Sequence, residues 1–224
     1  LFCTACAHNK LELTPTNTKV IDFICPSCEE TYQLKSQRVR IGNKVLDAAY
    51  EPMIHSIRTG KAPNMLFLHY DPEACCVENL IVVPRYFLSP SCIEKRKPLS
   101  ESARRAGWVG CYIVLKQLPI DGRIGIVKDK VPLSSKEVRR QYGRFKFLAE
   151  KKSDHRGWTT DILKIIRDLG RKNFRLKNIY GFETDLQKLH PANKNIRPKI
   201  RQQLQLLRDR RIIEFKGNGL YSFR

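Results

Sequence analysis

Four cysteines constrain this chain before anything else does. Cys3, Cys6, Cys25 and Cys28 stand in the spacing C-x2-C-x18-C-x2-C. A two-residue gap makes a strained disulfide but a relaxed metal knuckle, so four thiolates at this spacing read as a tetrahedral structural Zn2+ site. His8 follows the first pair, but four thiolates already fill the tetrahedron, and it reads as a surface histidine. Cys75, Cys76, Cys92 and Cys111 have no ligand spacing. They read as reduced core thiols, which fits a reducing cytoplasm.

The second cysteine pair is also the tip of a hairpin. In V-I-D-F-I-C-P-S-C-E-E-T-Y-Q-L-K-S, residues 20–36, the turn Cys25-Pro26-Ser27-Cys28 separates two short apolar-rich runs, Val20–Ile24 and Thr31–Lys35. Two registers are open. The tighter one sets Asp22 opposite Thr31, and the one two residues longer sets it opposite Gln33. Either puts Gln33 and Lys35 on one face, because strand side chains alternate. The longer register adds Asp22 to them. A carboxylate, an amide and an ammonium converging at a sheet rim are costly for packing alone, so these three are the candidate catalytic residues. The zinc would brace the strands that carry them.

The formal net charge is +20 over 224 residues. That balance points to nucleic acid as the partner. No apolar run is long enough to span a bilayer, so no membrane partner is expected. The chain opens with Leu1 and a knuckle almost at once, which suggests a missing upstream stretch. Its length suits one large domain or a medium one plus a small one.

Apolar positions over Val45–Thr59 have helical spacing, interrupted at Pro52. Met65–Tyr70, Leu80–Val83, Cys111–Leu115 and Arg123–Val127 read as strands, and Glu137–Leu148 as a basic amphipathic helix. This order predicts an α+β fold with a mixed sheet. Between the strands, Arg104, Arg105 and Trp108 lie in A-R-R-A-G-W-V-G. Basic residues beside an aromatic suit phosphate contact plus stacking, although Trp108 as a loop anchor in the core is the alternative.

Lys151–Gly157 marks a boundary, dividing the chain into domains 1–152 and 153–224. More than half the excess positive charge lies from Arg156 on. There Trp158–Leu169, with Thr159 or Thr160 as N-cap, Lys177–His190 and Ile196–Asp209 read as helices. Ile212–Phe215 and Leu220–Phe223 flank Gly217-Asn218-Gly219 as a hairpin. Three helices and a hairpin make a winged helix, with the third helix presenting Arg197, Arg201, Gln202 and Gln205, and the wing Lys216.

Asp22, Gln33 and Lys35 form D-x10-Q-x-K. The pattern resembles the PD-(D/E)xK nucleases, in which a carboxylate, a neighbouring oxygen and a strand carbonyl (here Leu34) hold Mg2+. Lys35 would stabilise or help deprotonate the attacking water. A wider likeness is carried by the cysteine pairs, L-K-S at 34–36, R-K-P-L at 96–99, A-R-R-A-G-W-V-G-C at 103–111, R-G-W-T at 156–159, and I-R-Q-Q-L-Q-L-L-R-D with I-I-E-F-K-G-N-G near the end. On these residues the chain resembles the DpnI-like, methyl-directed restriction endonucleases over essentially its whole length. The resemblance implies a zinc-containing nuclease domain followed by a winged helix, with Mg2+-dependent double-strand cleavage at GATC carrying N6-methyladenine. It also implies that both domains read the methylated site, that Trp108 lies at the methyladenine surface, and that roughly thirty residues are missing before Leu1. The expected setting is a bacterial cytoplasm, with adenine-methylated double-stranded DNA as partner of a monomeric chain. Gln33 stands where that pattern has Glu, and an amide brings a metal no charge. The departure leaves room for an alternative, a non-catalytic zinc-ribbon and winged-helix DNA-binding regulator.

Overall fold

The computed structural model describes residues 1–224 apart from Asn17 and Lys19. The first strands are β1 (Glu12–Leu13), β2 (Phe23–Ile24), β3 (Thr31–Gln37) and β4 (Lys44–Ala49), followed by helix α1 (Tyr50–Arg58). Then come β5 (Asn64–Asp71), β6 (Cys76–Val83), β7 (Ile93–Lys95), β8 (Gly110–Val114), β9 (Ile124–Lys128) and β10 (Val131–Pro132), closed by α2 (Ser135–Arg144). Seven of these strands form a mixed sheet in the order β1-β2-β3-β5-β6-β9-β10, and β4, β8 and β7 form a second, antiparallel one.

β5 lies centrally because it can be buried on both faces. Met65, Leu66 and Phe67 are consecutive and all but inaccessible. Burying such side chains contributes roughly 1.5–3 kcal/mol each. β3 runs parallel to β5, so the chain must cross over between them, and β4 and α1 make that crossover. α1 buries Met53, Ile54 and Ile57.

The expected helix over Val45–Thr59 is therefore two elements. Residues 44–49 form β4, paired antiparallel with β8, and the helix begins only at Tyr50. Val45 and Asp47 are buried while Lys44, Leu46 and Ala48 are exposed, which is a period of two that the helical reading passed over. Pro52 makes no kink. It sits in the first turn of α1, where its missing N–H would have had no intrahelical partner. The helix expected over Glu137–Leu148 is α-helical only to Arg144 and continues as a 3-10 segment, Lys146–Glu150. Among the cysteines without ligand spacing, Cys92 and Cys111 are buried, but Cys75 is exposed in a turn at φ +48°.

The last third comprises α3 (Ser153–Asp168), β11 (Asn173–Arg175), α4 (Leu176–Tyr180), α5 (Glu183–Leu189), α6 (Ile196–Asp209), β12 (Ile213–Gly217) and β13 (Leu220–Phe223). The strands form a small sheet in the order β11-β13-β12. α3 starts five residues before the expected helix. Thr159 and Thr160 are not caps but lie inside it, bonding back to the carbonyls of His155 and Arg156. The second expected helix is broken at Gly181-Phe182 into α4 and α5. β11 was not foreseen. The hairpin turn carries three consecutive positive φ values, at Gly217, Asn218 and Gly219, which glycine and asparagine adopt at least cost.

α3 is buried on most of its surface, with Trp158, Ile162, Leu163 and Ile166 all in the core. It packs on α1 on one side and on α6 on the other. Ser91 donates to Asp161 Oδ1 at 3.1 Å, and Arg167 forks onto Asp121 at 2.6 and 2.7 Å. A single cluster of buried side chains runs from Cys3 to Ile213.

Candidate active site and metal centre

The four knuckle cysteines converge. Their sulfurs all lie within 4.8 Å of one another, with Cys3–Cys28 and Cys6–Cys25 at 3.6 Å. A disulfide needs about 2.05 Å. Bonds of about 2.3 Å to a central zinc imply tetrahedral edges near 3.8 Å, so the cluster fits Zn2+. Backbone amides point at the thiols, Ala5 N–H to Cys3 and His8 N–H to Cys6. The His8 amide holds the Cys6 thiol down at about 7, whereas burial pushes Cys3 and Cys28 up. His8 contributes no ligand atom to the cluster.

The knuckle is joined to β3 by one buried residue. The Tyr32 hydroxyl reaches Cys3 Sγ at 3.3 Å, the Thr4 hydroxyl at 3.1 Å and the Thr4 amide at 3.2 Å. Gln33 is the next residue along. From the other side, Arg139 of α2 donates to the carbonyls of Cys3 and His8. At the start of β3, Asn64 donates to Thr31 O and to Glu30, and Glu30 in turn holds Arg85.

The hairpin takes the longer of the two registers, with Phe23 opposite Tyr32 and Ile24 opposite Thr31. Continued by one step, it brings Asp22 opposite Gln33. β2 pairs with only two residues of β3, so among the described residues that side of β3 has no strand partner beyond Tyr32. Asp22 stands in for one. Its amide donates to Tyr32 O at 2.9 Å, and its Oδ2 accepts from Leu34 N–H at 2.6 Å. The N–H and C=O of a strand residue point the same way, so the Leu34 carbonyl faces this open edge beside the Asp22 carboxylate.

Gln33 is 7% exposed, and its Oε1 is buried with no hydrogen-bond partner among the described residues. A buried amide oxygen left unpaired costs on the order of 1–3 kcal/mol. Such an oxygen could ligate a cation, and the oxygen set of Asp22, Gln33 and the Leu34 carbonyl would suit a hard divalent ion. Lys35 shares the Gln33 side of β3, and its Nζ lies 2.7 Å from Asp47 Oδ1.

Asp47 is the site residue that sequence reasoning missed. Its side chain is 2% exposed, and it reaches Lys35 from the inner face of β4. Read as part of a helix, it was one polar residue among several. The two-residue alternation with Val45 was the available signal.

Arg104 and Arg105 are exposed on the loop between β7 and β8. Trp108 is half-buried there, its indole lying over Gly110 so closely that a Cβ would meet ring carbons at 2.8 Å. The Arg105 guanidinium stacks 4.7 Å from the ring centroid. Trp108 is thus both loop anchor and aromatic surface. On α6, Arg197, Arg201, Gln202 and Gln205 are all exposed, while Ile196, Ile200, Leu204 and Leu207 are buried. Arg197 is held by Glu183 at 2.8 Å and Arg201 by the Tyr180 hydroxyl at 2.9 Å, so α4 and α5 pre-position both. Lys216 on β12 is exposed and lies 2.9 Å from Glu214. Among the described residues no helix is long and apolar enough to cross a membrane.

Two family matches cover nearly the whole chain. Residues 1–151 match the Dam-replacing family, DpnI, and residues 154–222 match the Dam-replacing helix-turn-helix domain. This supports a methylation-dependent restriction endonuclease that binds DNA. With its four-cysteine knuckle, mixed sheet and basic C-terminal helices, the chain belongs to the DpnI family.

Proposed function

We propose that this protein cleaves double-stranded DNA at GATC sites carrying N6-methyladenine, by Mg2+-dependent phosphodiester hydrolysis. Residues 1–152 carry out the cutting and residues 153–224 add a second DNA-reading surface. The observation that carries the reading is the unpartnered edge of β3. There the Asp22 carboxylate is anchored on Leu34 N–H, while Gln33, whose buried Oε1 has no partner among the described residues, and Lys35, paired with Asp47, share one face of β3.

Asp22, Gln33 and the Leu34 carbonyl would hold Mg2+, which when bound polarises the scissile phosphate and orients a water. Asp22 supplies the only charge in that set, because Gln33 contributes a dipole. Lys35 is held by Asp47 as one half of an ion pair. That favours it as a fixed positive charge facing the developing negative charge on phosphorus oxygens, over a free base. Trp108 and Arg105 present a stacked apolar and cationic surface to the methylated base, and Arg104 supports phosphate contact. Arg197, Arg201 and Gln202 would face the groove, with Lys216 at a flanking phosphate.

The experiment is digestion of plasmid prepared with and without adenine methylation, with Mg2+ present, by the wild-type protein and Lys35→Ala. Linearisation of methylated plasmid by wild type alone is expected. Intact methylated plasmid at every Mg2+ concentration would leave the second reading, a DNA-binding regulator. The observation favouring that reading is the neutral Gln33. It requires methyl-site binding that is indifferent to Asp22→Ala.

A further inference from the structure

The N-terminus of α3 opens into a cavity of about 840 Å3 at the seam between the two family-matched regions. Among the described residues no side chain caps this helix, whose first-turn N–H groups have no intrahelical acceptor, and Lys152, Ser153 and Asp154 at its start line the cavity. Two side chains on the same face of that first turn share the condition. Ser153 is 8% exposed, and its Oγ is buried with no hydrogen-bond partner among the described residues. Arg156, three residues on, is 4% exposed, and its Nε is buried with no partner among the described residues. Its Nη2 caps the C-terminus of α1 by donating to Ile57 O at 2.8 Å, but among the described residues no carboxylate pairs with the guanidinium. Burial and the nearby Arg85 both press Arg156 toward losing its charge.

The Ser153 hydroxyl, the Arg156 Nε–H and the uncapped helix N-terminus together form a donor set whose members have no acceptor among the described residues. Each orphaned group costs about 1–3 kcal/mol, more where it is charged. One compact oxyanion would satisfy all three, and helix N-termini bind such groups through aligned amides and the helix dipole. Arg58, Lys151 and Lys152 at the cavity mouth add positive potential. Glu150 and Asp154 also line the cavity, but both are exposed and neither pairs with Arg156.

We infer that the α3 N-terminus, with Ser153 and Arg156, is a phosphate-binding site separate from the Asp22–Lys35 edge. The phosphate group comes from the DNA backbone or from free phosphate in solution. Because α3 is the element packed between α1 and α6, an anion here would also lock the two parts of the chain together. The inference does not depend on the cleavage reading.

The test is thermal unfolding of the full zinc-loaded chain, in inorganic phosphate and in sodium chloride at matched ionic strength, for wild type, Ser153→Ala and Arg156→Gln. Wild type should gain a saturable rise in Tm with phosphate. Ser153→Ala removes a hydroxyl that has no protein partner, so it should fold normally and need at least about tenfold more phosphate for the same rise. Arg156→Gln should abolish the rise. A short unmethylated duplex lacking GATC that displaces phosphate assigns the site to the DNA backbone, and failure to displace assigns it to the free anion. Equal Tm in phosphate and chloride, or a phosphate effect undiminished in Ser153→Ala, overturns the inference.

Discussion

At the residue scale, the site's chemistry reduces to a few groups whose neighbours differ sharply. Asp22 is exposed but anchored through Leu34 N–H, whereas Gln33 is buried and unanswered. Replacing Gln33 by Glu restores charge to the oxygen set, and the Mg2+ concentration for half-maximal cleavage should fall about tenfold or more. A metal titration of cleavage rate checks this, and an unchanged midpoint would remove Gln33 from the set. Lys35→Ala should lower kcat by about 10²–10⁴ while leaving DNA affinity nearly intact. Asp47→Asn should act through the same lysine. The double variant should then be no worse than Lys35→Ala alone, the non-additive pattern of residues acting as a unit. Additive losses would mean that Asp47 serves the fold and not the ammonium. Gly110→Ala belongs here too, because its Cβ would collide with the Trp108 ring. Displacing the indole should reduce preference for methylated over unmethylated plasmid, measured as the ratio of cleavage rates.

At the element scale, the decisive feature is that β2 is two residues long against seven in β3. On the proposed reading, the shortness leaves an edge where a metal and a phosphate would approach. Such an edge would invite pairing with another strand, and the Asp22 carboxylate partly blocks it. The knuckle holds the arrangement through Tyr32. Removing zinc with a chelator should therefore abolish cleavage, and circular dichroism should register loss of the N-terminal hairpin. Tyr32→Phe keeps the ring and deletes the hydroxyl that touches Cys3 and Thr4. It should retain its fold but release zinc faster to a chromogenic chelator. The D-x10-Q-x-K pattern and the cysteine spacing were legible because both are local, set by one turn and one strand. Asp47 was not, because its partner lies on a different sheet. Its own strand was masked by apolar residues that satisfy helical spacing equally well.

At the scale of the whole molecule, the two family-matched regions share one core. α3 belongs to the helix-turn-helix match yet packs on α1, accepts a hydrogen bond from Ser91 at Asp161 and sends Arg156 to Ile57 O. Cutting the chain after Lys152 would expose these contacts, so the shortened protein should aggregate or melt far below the full chain. It would not isolate a clean catalytic half. Asp121→Ala tests the seam more gently. It removes the acceptor of the Arg167 fork and should cost about 1–3 kcal/mol, read as a lower denaturation midpoint. Reading by the last third is better probed with Arg197→Ala and Arg201→Ala. Both are exposed, so each should weaken DNA binding and flatten its salt dependence without a change in Tm.

The amino-acid sequence alone determined the zinc spacing, the candidate acid, amide and lysine on one hairpin, the basic partner preference and the winged-helix order. Each follows from near-neighbour geometry or from net charge, which do not depend on how the chain closes. Only the tertiary structure decided which hairpin register holds and which buried acid answers Lys35. It also placed Ser153 and Arg156 at the seam between the two matched regions. Those outcomes depend on contacts between residues far apart in the chain, and short-range periodicity carries no information about which distant group will meet which.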